Sequence, residues 1–217
     1  MTRDESSIEL AAWLKTAPGR YLLAWEQARL DQEVVDTFGF HALQLGLPEL
    51  DGLRANRMPH RWLATDAMHP PASSESPRGP GAMPGEAGAV DDGALHLPSD
   101  PPTPSLHCDF DALPLPDASI DLVVLPHSLE LARDPHQTLR EVERVLVPEG
   151  RVVIVGFNPT SLWGLRQRLG RMRRGIGFAR ETGLFLPRAG DFIGYWRARD
   201  WLRLLGFEVE AGRFGCW

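Results

Sequence analysis

The chain has 217 residues, 43% of them hydrophobic and 24% charged, with a formal net charge of −6. That length supports one domain with a sizeable core, and the composition is ordinary for a globular protein. No apolar run approaches the ~20 residues of a membrane helix, and the acidic start MTRDESSIELAAWL lacks the core of a secretory signal. Two cysteines, Cys108 and Cys216, show no metal-ligand spacing, so neither a metal site nor a disulfide framework is expected, and a cytoplasmic setting is.

In chain order, Ser6 or Ser7 can cap a first helix whose apolar stripe is Leu10, Trp13 and Leu14. Pro18-Gly19 reads as its break, and a second helix is predicted from about Arg20 to Thr37 with Leu22, Leu23, Trp25, Leu30, Val34 and Phe38. Residues 1–40 thus form an N-terminal helical flank or lid, with Trp13 and Trp25 as packing residues. His41 to Gly46 (HALQLG) is the first predicted strand, ending in a turn at Gly46-Leu47-Pro48. His60 to Thr65 (HRWLAT) is the second, ending at Asp66. The composition then shifts. Residues 69–105 hold nine Pro, five Gly and five Ser and no aromatic side chain, too little apolar surface to offset ordering entropy. They read as a disordered insertion in a domain that spans 41–217.

The segment from Leu106 to Pro159 is the most informative. Ile120 to Leu125 (IDLVVL) and Arg151 to Phe157 (RVVIVGF) are short, valine-rich runs without polar alternation, as expected of strands buried on both faces. Between them Leu139, Val142, Val145 and Leu146 recur at helical spacing among Arg140, Glu141, Glu143 and Arg144. Strand, amphipathic helix and strand make a βαβ unit, hence a parallel sheet. Further helices are predicted from Thr160 or Ser161 to about Arg174 and from Phe192 to Leu205, and a final strand from Phe207 to Phe214.

Asp109 followed by Ala112-Leu113-Pro114, then Pro116-Asp117-Ala118-Ser119-Ile120-Asp121-Leu122-Val123-Val124, His127, Leu129 and Asp134-Pro135 form an ordered run. It continues through Leu139-Arg140-Glu141-Val142 and Val145-Leu146-Val147-Pro148-Glu149-Gly150-Arg151-Val152-Val153-Ile154. This run resembles class I S-adenosylmethionine-dependent methyltransferases of the type 11 group. The resemblance implies a Rossmann-like three-layer αβα fold with a mostly parallel sheet whose strand order reverses at the first strand. A ligand crevice then lies at the carboxyl ends of the strands. It also implies S-adenosyl-L-methionine as cofactor. Asp109 would accept from the adenine amino group, Phe110 would flank the ring, and Asp66, 20 residues after Gly46, would meet the ribose. His127, just past the fourth strand, would be the general base, with Glu130 as the lesser alternative. Asp121 reads as structural.

Two departures bear on activity. The family's first loop carries an acid and glycines at alternate positions; here it reads Gln44-Leu45-Gly46-Leu47-Pro48-Glu49-Leu50. Gln44 could still hydrogen-bond the methionyl amine, whereas Pro48 removes a donor and Leu50 adds bulk where the ligand would approach. Asp51-Gly52 could supply a displaced turn. The family's seventh strand, placed between strands five and six, has no counterpart, so a missing C-terminal strand and an open edge on strand five are expected, most simply in a fragment of a longer protein. From Gly150 to Arg180 there are seven arginines and no acid, including Arg166, Arg168, Arg171, Arg173, Arg174 and Arg180. They read either as a solvated face balanced by acids elsewhere, which the overall acidity favours, or as a docking surface for a phosphate-bearing partner such as a nucleic acid (RNA) or a phospholipid. The sequence supports two functions: a methyltransferase acting on an acceptor it does not specify, or a non-catalytic methyltransferase-like binding or scaffold protein that uses Arg166–Arg180.

Overall fold

The computed structural model describes residues 10–66, 106–158 and 192–215. The insertion at 69–105, the helix expected from Thr160 to Arg174 and the Arg166–Arg180 segment lie outside the described residues. Five strands form one parallel sheet: β1 (His41–Leu45), β2 (His60–Asp66), β3 (Leu106–Cys108), β4 (Ile120–Pro126) and β5 (Leu146–Val155). Their spatial order is β3-β2-β1-β4-β5. The chain builds outward from β1 in one direction, then crosses to β4 and builds in the other. The order reverses between β1 and β4, so the ends of those strands open the crevice. This is the Rossmann-like α/β architecture the sequence implied.

Alternation within each central strand feeds two cores. Leu43 and Leu45 of β1, Val123 and Leu125 of β4, and Ala64 of β2 point to one face. That face is covered by a helix, α3 (Pro135–Val145), through Leu139, Val142 and Val145. Asp134 caps this helix by accepting from the amides of His136 and Gln137, and Pro135 sits in its first turn where no amide is needed. Burying each of those three apolar side chains contributes on the order of 1.5–3 kcal/mol. On the other face Ala42, Leu122 and Val124 meet the N-terminal helix α1 (Ala17–Val34).

Helix α1 starts earlier than its sequence pattern suggests. Thr16 caps it, its side chain accepting from the Gly19 amide at 3.3 Å, and Pro18 lies inside the first turn. There its missing amide goes unfelt. A separate helical turn over residues 10–14 precedes it. The buried positions of α1 are Gly19, Leu22, Glu26, Leu30 and Val34, one stripe at helical spacing.

The described residues hold two further elements: a single turn, α2 (Ser128–Leu131), after β4, and α4 (Tyr195–Leu204), which packs Trp201 and Leu202 against the second core. β5 loops out residues 147–150, where Glu149 has φ 66, and its ladder with β4 resumes at Arg151. The expected strand over Phe207 to Phe214 is corrected: residues 207–215 run without strand pairing. They are held by the ion pairs Arg151–Glu210 (2.9 Å) and Arg213–Glu33 (2.6 Å). A groove of about 1320 Å³ separates them from β5, and among the described residues β5 pairs with β4 alone. Among the described residues no strand lies between them to give the backbone of 207–215 a ladder.

Asp121 is structural, as the sequence indicated. One of its carboxylate oxygens accepts from the amides of Phe40 and His41, both at 2.9 Å, and so fixes the entry to β1. Arg144 plays a matching role for the β3–β4 connection. It donates to the carbonyls of Leu113 and Leu115 (2.9 Å each) and pairs with Glu141 and Asp117. These contacts hold the amino end of the sheet in shape, opposite the strand ends that carry the site.

Candidate functional site

The carboxyl ends of β1 to β4 bring several of the expected residues together. Gly46 follows β1 with φ +78, a conformation glycine adopts freely, and its amide donates to the Ala64 carbonyl of β2 at 2.7 Å. A β-carbon there would meet Ser128 Oγ at 3.2 Å and the Phe110 ring at 3.5 Å. Gly46, Phe110 and Ser128 therefore share one spot. Ser128 Oγ also donates to the Leu45 carbonyl, tying the end of β4 to the end of β1.

Asp66 ends β2 in register with Cys108, the last residue of β3, and Asp109 follows directly. The two carboxylates thus flank one strand end. Their joint field is felt by the Cys108 thiol, which burial first, then Asp109 and Asp66, push up to about 11. Such a thiol is inert as a nucleophile. One oxygen of Asp109 accepts from the Asp111 amide (3.1 Å), which closes the turn that places Phe110 beside Gly46.

Gln44 is turned away from this spot. Its side chain is 2% exposed, and its amide nitrogen reaches the carbonyls of Gly46 (3.2 Å), Leu47 (3.1 Å) and Leu50 (2.6 Å). Its oxygen accepts from the Gly52 amide at 2.8 Å. The side chain thus replaces glycine flexibility with an internal scaffold, around which the loop curls. Leu50, expected to crowd the ligand, is 1% exposed and sits in the first core with Leu47 and Leu53. The bulk is directed into the protein. Gly52, noted as a displaced turn, allows a close approach: a β-carbon would lie 3.0 Å from Val124 and 3.1 Å from Gln44 Oε1.

His127, expected as the general base, is enclosed. It is fully buried, at φ 55, with the Phe157 ring 4.3 Å from its own. Its Nδ1 lies 2.9 Å from Glu130 and its Nε2 3.1 Å from Glu26 of α1. Burial alone would push the imidazole down. The Glu26 charge and the hydrogen bonds to Glu130 and Glu26 overcome it, and the group titrates at about 10. Both nitrogens face a carboxylate within hydrogen-bond distance and the ring is fully enclosed, so it has no free nitrogen to offer a substrate. Glu130 is no freer. Its second oxygen accepts from the Phe157 amide at 2.7 Å, and burial, partly offset by His127 and that amide, raises its own pKa.

Glu26 was not among the residues expected from the sequence. The signal was present: it occupies a position of the α1 stripe between Leu22 and Leu30, where an apolar residue belongs. An unpaired charge there would cost several kcal/mol, so a partner was required. Its partner is 101 residues away.

The donor set suits an adenosine. Two carboxylates at adjoining strand ends can accept from amino and hydroxyl groups, and at Gly46 the backbone comes close to Ser128 and the buried Phe110 ring, which a β-carbon would meet at 3.2 and 3.5 Å. Among the described residues no three His, Cys, Asp or Glu side chains gather to hold a metal ion, and no helix is long and apolar enough to cross a membrane.

Comparison with known proteins points the same way. A family model described as "Methyltransferase domain" (Methyltransf_11) matches residues 88–154. The uncharacterized protein YafS of Escherichia coli (strain K12) is 42% identical over 103 residues, 47% of this chain and 39% of that protein. The malonyl-[acyl-carrier protein] O-methyltransferase of Halorhodospira halophila is 45% identical over 58 residues, 27% of this chain and 20% of that one. The chain therefore spans well under half the length of either relative. Among solved structures, a putative methyltransferase complexed with the Haloferax volcanii Trm112 methyltransferase activator aligns over 93% of this chain and 75% of its own, at 19% identity and a TM-score of 0.49.

Proposed function

We propose that this chain, a class I S-adenosylmethionine-dependent methyltransferase of the type 11 group by its matched segment, binds its cofactor over Gly46 and methylates a small or carrier-bound acceptor. The supporting observation is the convergence of Gly46, Phe110, Asp66 and Asp109 at adjoining strand ends beside the β1–β4 switch point. Asp109 would accept from the adenine amino group, Asp66 from ribose hydroxyls, and Phe110 would lie against the base. When bound, the cofactor supplies an electrophilic methyl group on a sulfonium.

Gln44 contributes by shaping the loop from inside, so the methionine end of the cofactor meets backbone and not this side chain. His127, protonated and enclosed, is assigned to holding the β4 end rather than to proton abstraction. An acceptor whose nucleophile carries its own lone pair or a low pKa suits a site built this way. A second reading, a non-catalytic binding protein, is favoured by one observation: the first-loop carbonyls and the Gly52 amide are engaged with Gln44.

Isothermal titration with S-adenosylmethionine and S-adenosylhomocysteine separates the two. Binding in the micromolar range, weakened at least tenfold by Asp109→Ala, is the expected result. No heat at millimolar ligand overturns the cofactor assignment, and binding unchanged by Asp109→Ala overturns the role of that carboxylate.

A further inference from the structure

We propose that Glu26 is a positioning residue, which couples helix α1 to the floor of the cofactor site. Glu26 has this role only if the cofactor binds over Gly46, since it is that floor which the residue holds in place.

Four separate pieces of backbone meet at the imidazole of His127. Its amide donates to the Val155 carbonyl at the end of β5 (2.9 Å), and its Nδ1 reaches Glu130 of α2. Glu130 in turn accepts from the amide of Phe157, and Nε2 reaches Glu26 of α1. The Phe157 ring continues the contact to Trp13, at a centroid distance of 5.8 Å, and to Phe192, at 5.3 Å. The cluster thus reaches from the N-terminal helix to the turns that succeed β4 and β5.

The backbone at His127 carries the influence of this cluster to the site. At φ 55 it takes a left-handed turn, a conformation that costs a side-chain-bearing residue some strain although histidine tolerates it better than most. That turn aims the next residue, Ser128, at the Leu45 carbonyl and brings its hydroxyl to the space above Gly46. The orientation of the ring sets the turn, the turn sets Ser128, and Ser128 sets the end of β1. Glu26 grips the far side of that ring. A leucine at this position would complete the α1 stripe as well, so the charge at 26 is better explained by what it orients than by what it buries.

Helix α1 is also stitched to the first loop. Gln27 donates to the Asp51 carbonyl at 2.7 Å, and Arg54 pairs with Asp31 at 2.5 Å. Cofactor binding against Gly46 would therefore be felt in α1 by two routes, one through the loop and one through Glu26.

The test is hydrogen exchange with and without S-adenosylhomocysteine, alongside the ligand's affinity by titration. In the wild-type chain the ligand is expected to slow exchange over residues 17–34 as well as over 106–110 and 126–131. In Glu26→Gln the ligand should bind about tenfold more weakly, still protect 106–110, and lose its effect on 17–34. Glu26→Met, which matches the neighbouring stripe, serves the same purpose if the glutamine variant does not fold. A role in stability alone would raise exchange in α1 equally with and without ligand; that outcome, or unchanged affinity, overturns the proposal while leaving the cofactor reading intact. Absence of binding by the wild type overturns the cofactor reading, and the coupling with it.

Discussion

Placing an acid at position 44 is expected to damage this protein. The Gln44 amide nitrogen faces three carbonyl oxygens at 2.6–3.2 Å, and its oxygen faces the Gly52 amide. In Gln44→Leu the Leu47 carbonyl keeps a partner in the Leu50 amide, but the Leu50 carbonyl and Gly52 amide lose theirs. Two buried orphans at roughly 1–3 kcal/mol each give a loss of about 4 kcal/mol. Such a loss is a large part of a total of roughly 5–15. Gln44→Glu differs in kind. A carboxylate oxygen would replace the donor in front of those carbonyls, so the folded state would favour the protonated form and raise the pKa at 44. Each unit of that rise costs about 1.4 kcal/mol once the pH passes the unfolded value near 4.3. Relative to wild type, the glutamate variant should therefore weaken progressively as pH climbs from about 4.5 towards its raised folded pKa. Urea denaturation of wild type and both variants at pH 5 and pH 8 measures this. A glutamate variant as stable as wild type at pH 8, or a stability difference independent of pH, would falsify the reading of Gln44 as an internal scaffold.

The buried imidazolium makes its own pH signature. His127 titrates at about 10 in the fold, so its stabilisation is complete below the unfolded value near 6.5 and disappears as pH rises through 10. Up to about 5 kcal/mol is at stake over that window, reduced by the upward shift of Glu130. Melting temperature against pH should fall more steeply for wild type than for His127→Gln between pH 7 and 10; parallel curves would mean the ring is neutral. Gly52→Ala places a methyl 3.0 Å from Val124 and 3.1 Å from Gln44 Oε1, and is expected to lose about 1–3 kcal/mol in a urea titration. No change would show that the loop can yield.

The parts of the fold that were legible share a property: their evidence is local. β4, α3 and β5 declare themselves through β-branched runs, helical spacing and the Asp134-Pro135 start, and the structure places each within a few residues. The strand order came from resemblance, since no local pattern fixes which strand lies beside which. Phe207 to Phe214 carries a strand composition, but a strand exists only with a ladder partner, and that is a tertiary fact. At the site, Gly46, Asp66, Asp109 and Phe110 were nominated by position relative to strand ends, and the structure places them at adjoining ends of β1 to β3. Gln44 was nominated by position too, but position does not say which way an amide points. The enclosure of His127 was not legible locally, because the two carboxylates that face its ring lie three residues away and on another helix. Only Glu26, a charge out of place on an apolar stripe, hinted at that arrangement.

The burial of Glu26 also redraws the boundary of what can fold alone. A chain cut at residue 40, as a helical flank invites, would strip Leu22, Leu30 and Val34 from the first core and lay bare Leu50 and Leu53. It would also leave the His127 Nε2 proton without its acceptor in an apolar interior. The smallest piece that could survive expression therefore begins upstream of Ala17. The helix is as much a wall of the sheet's core as any strand is.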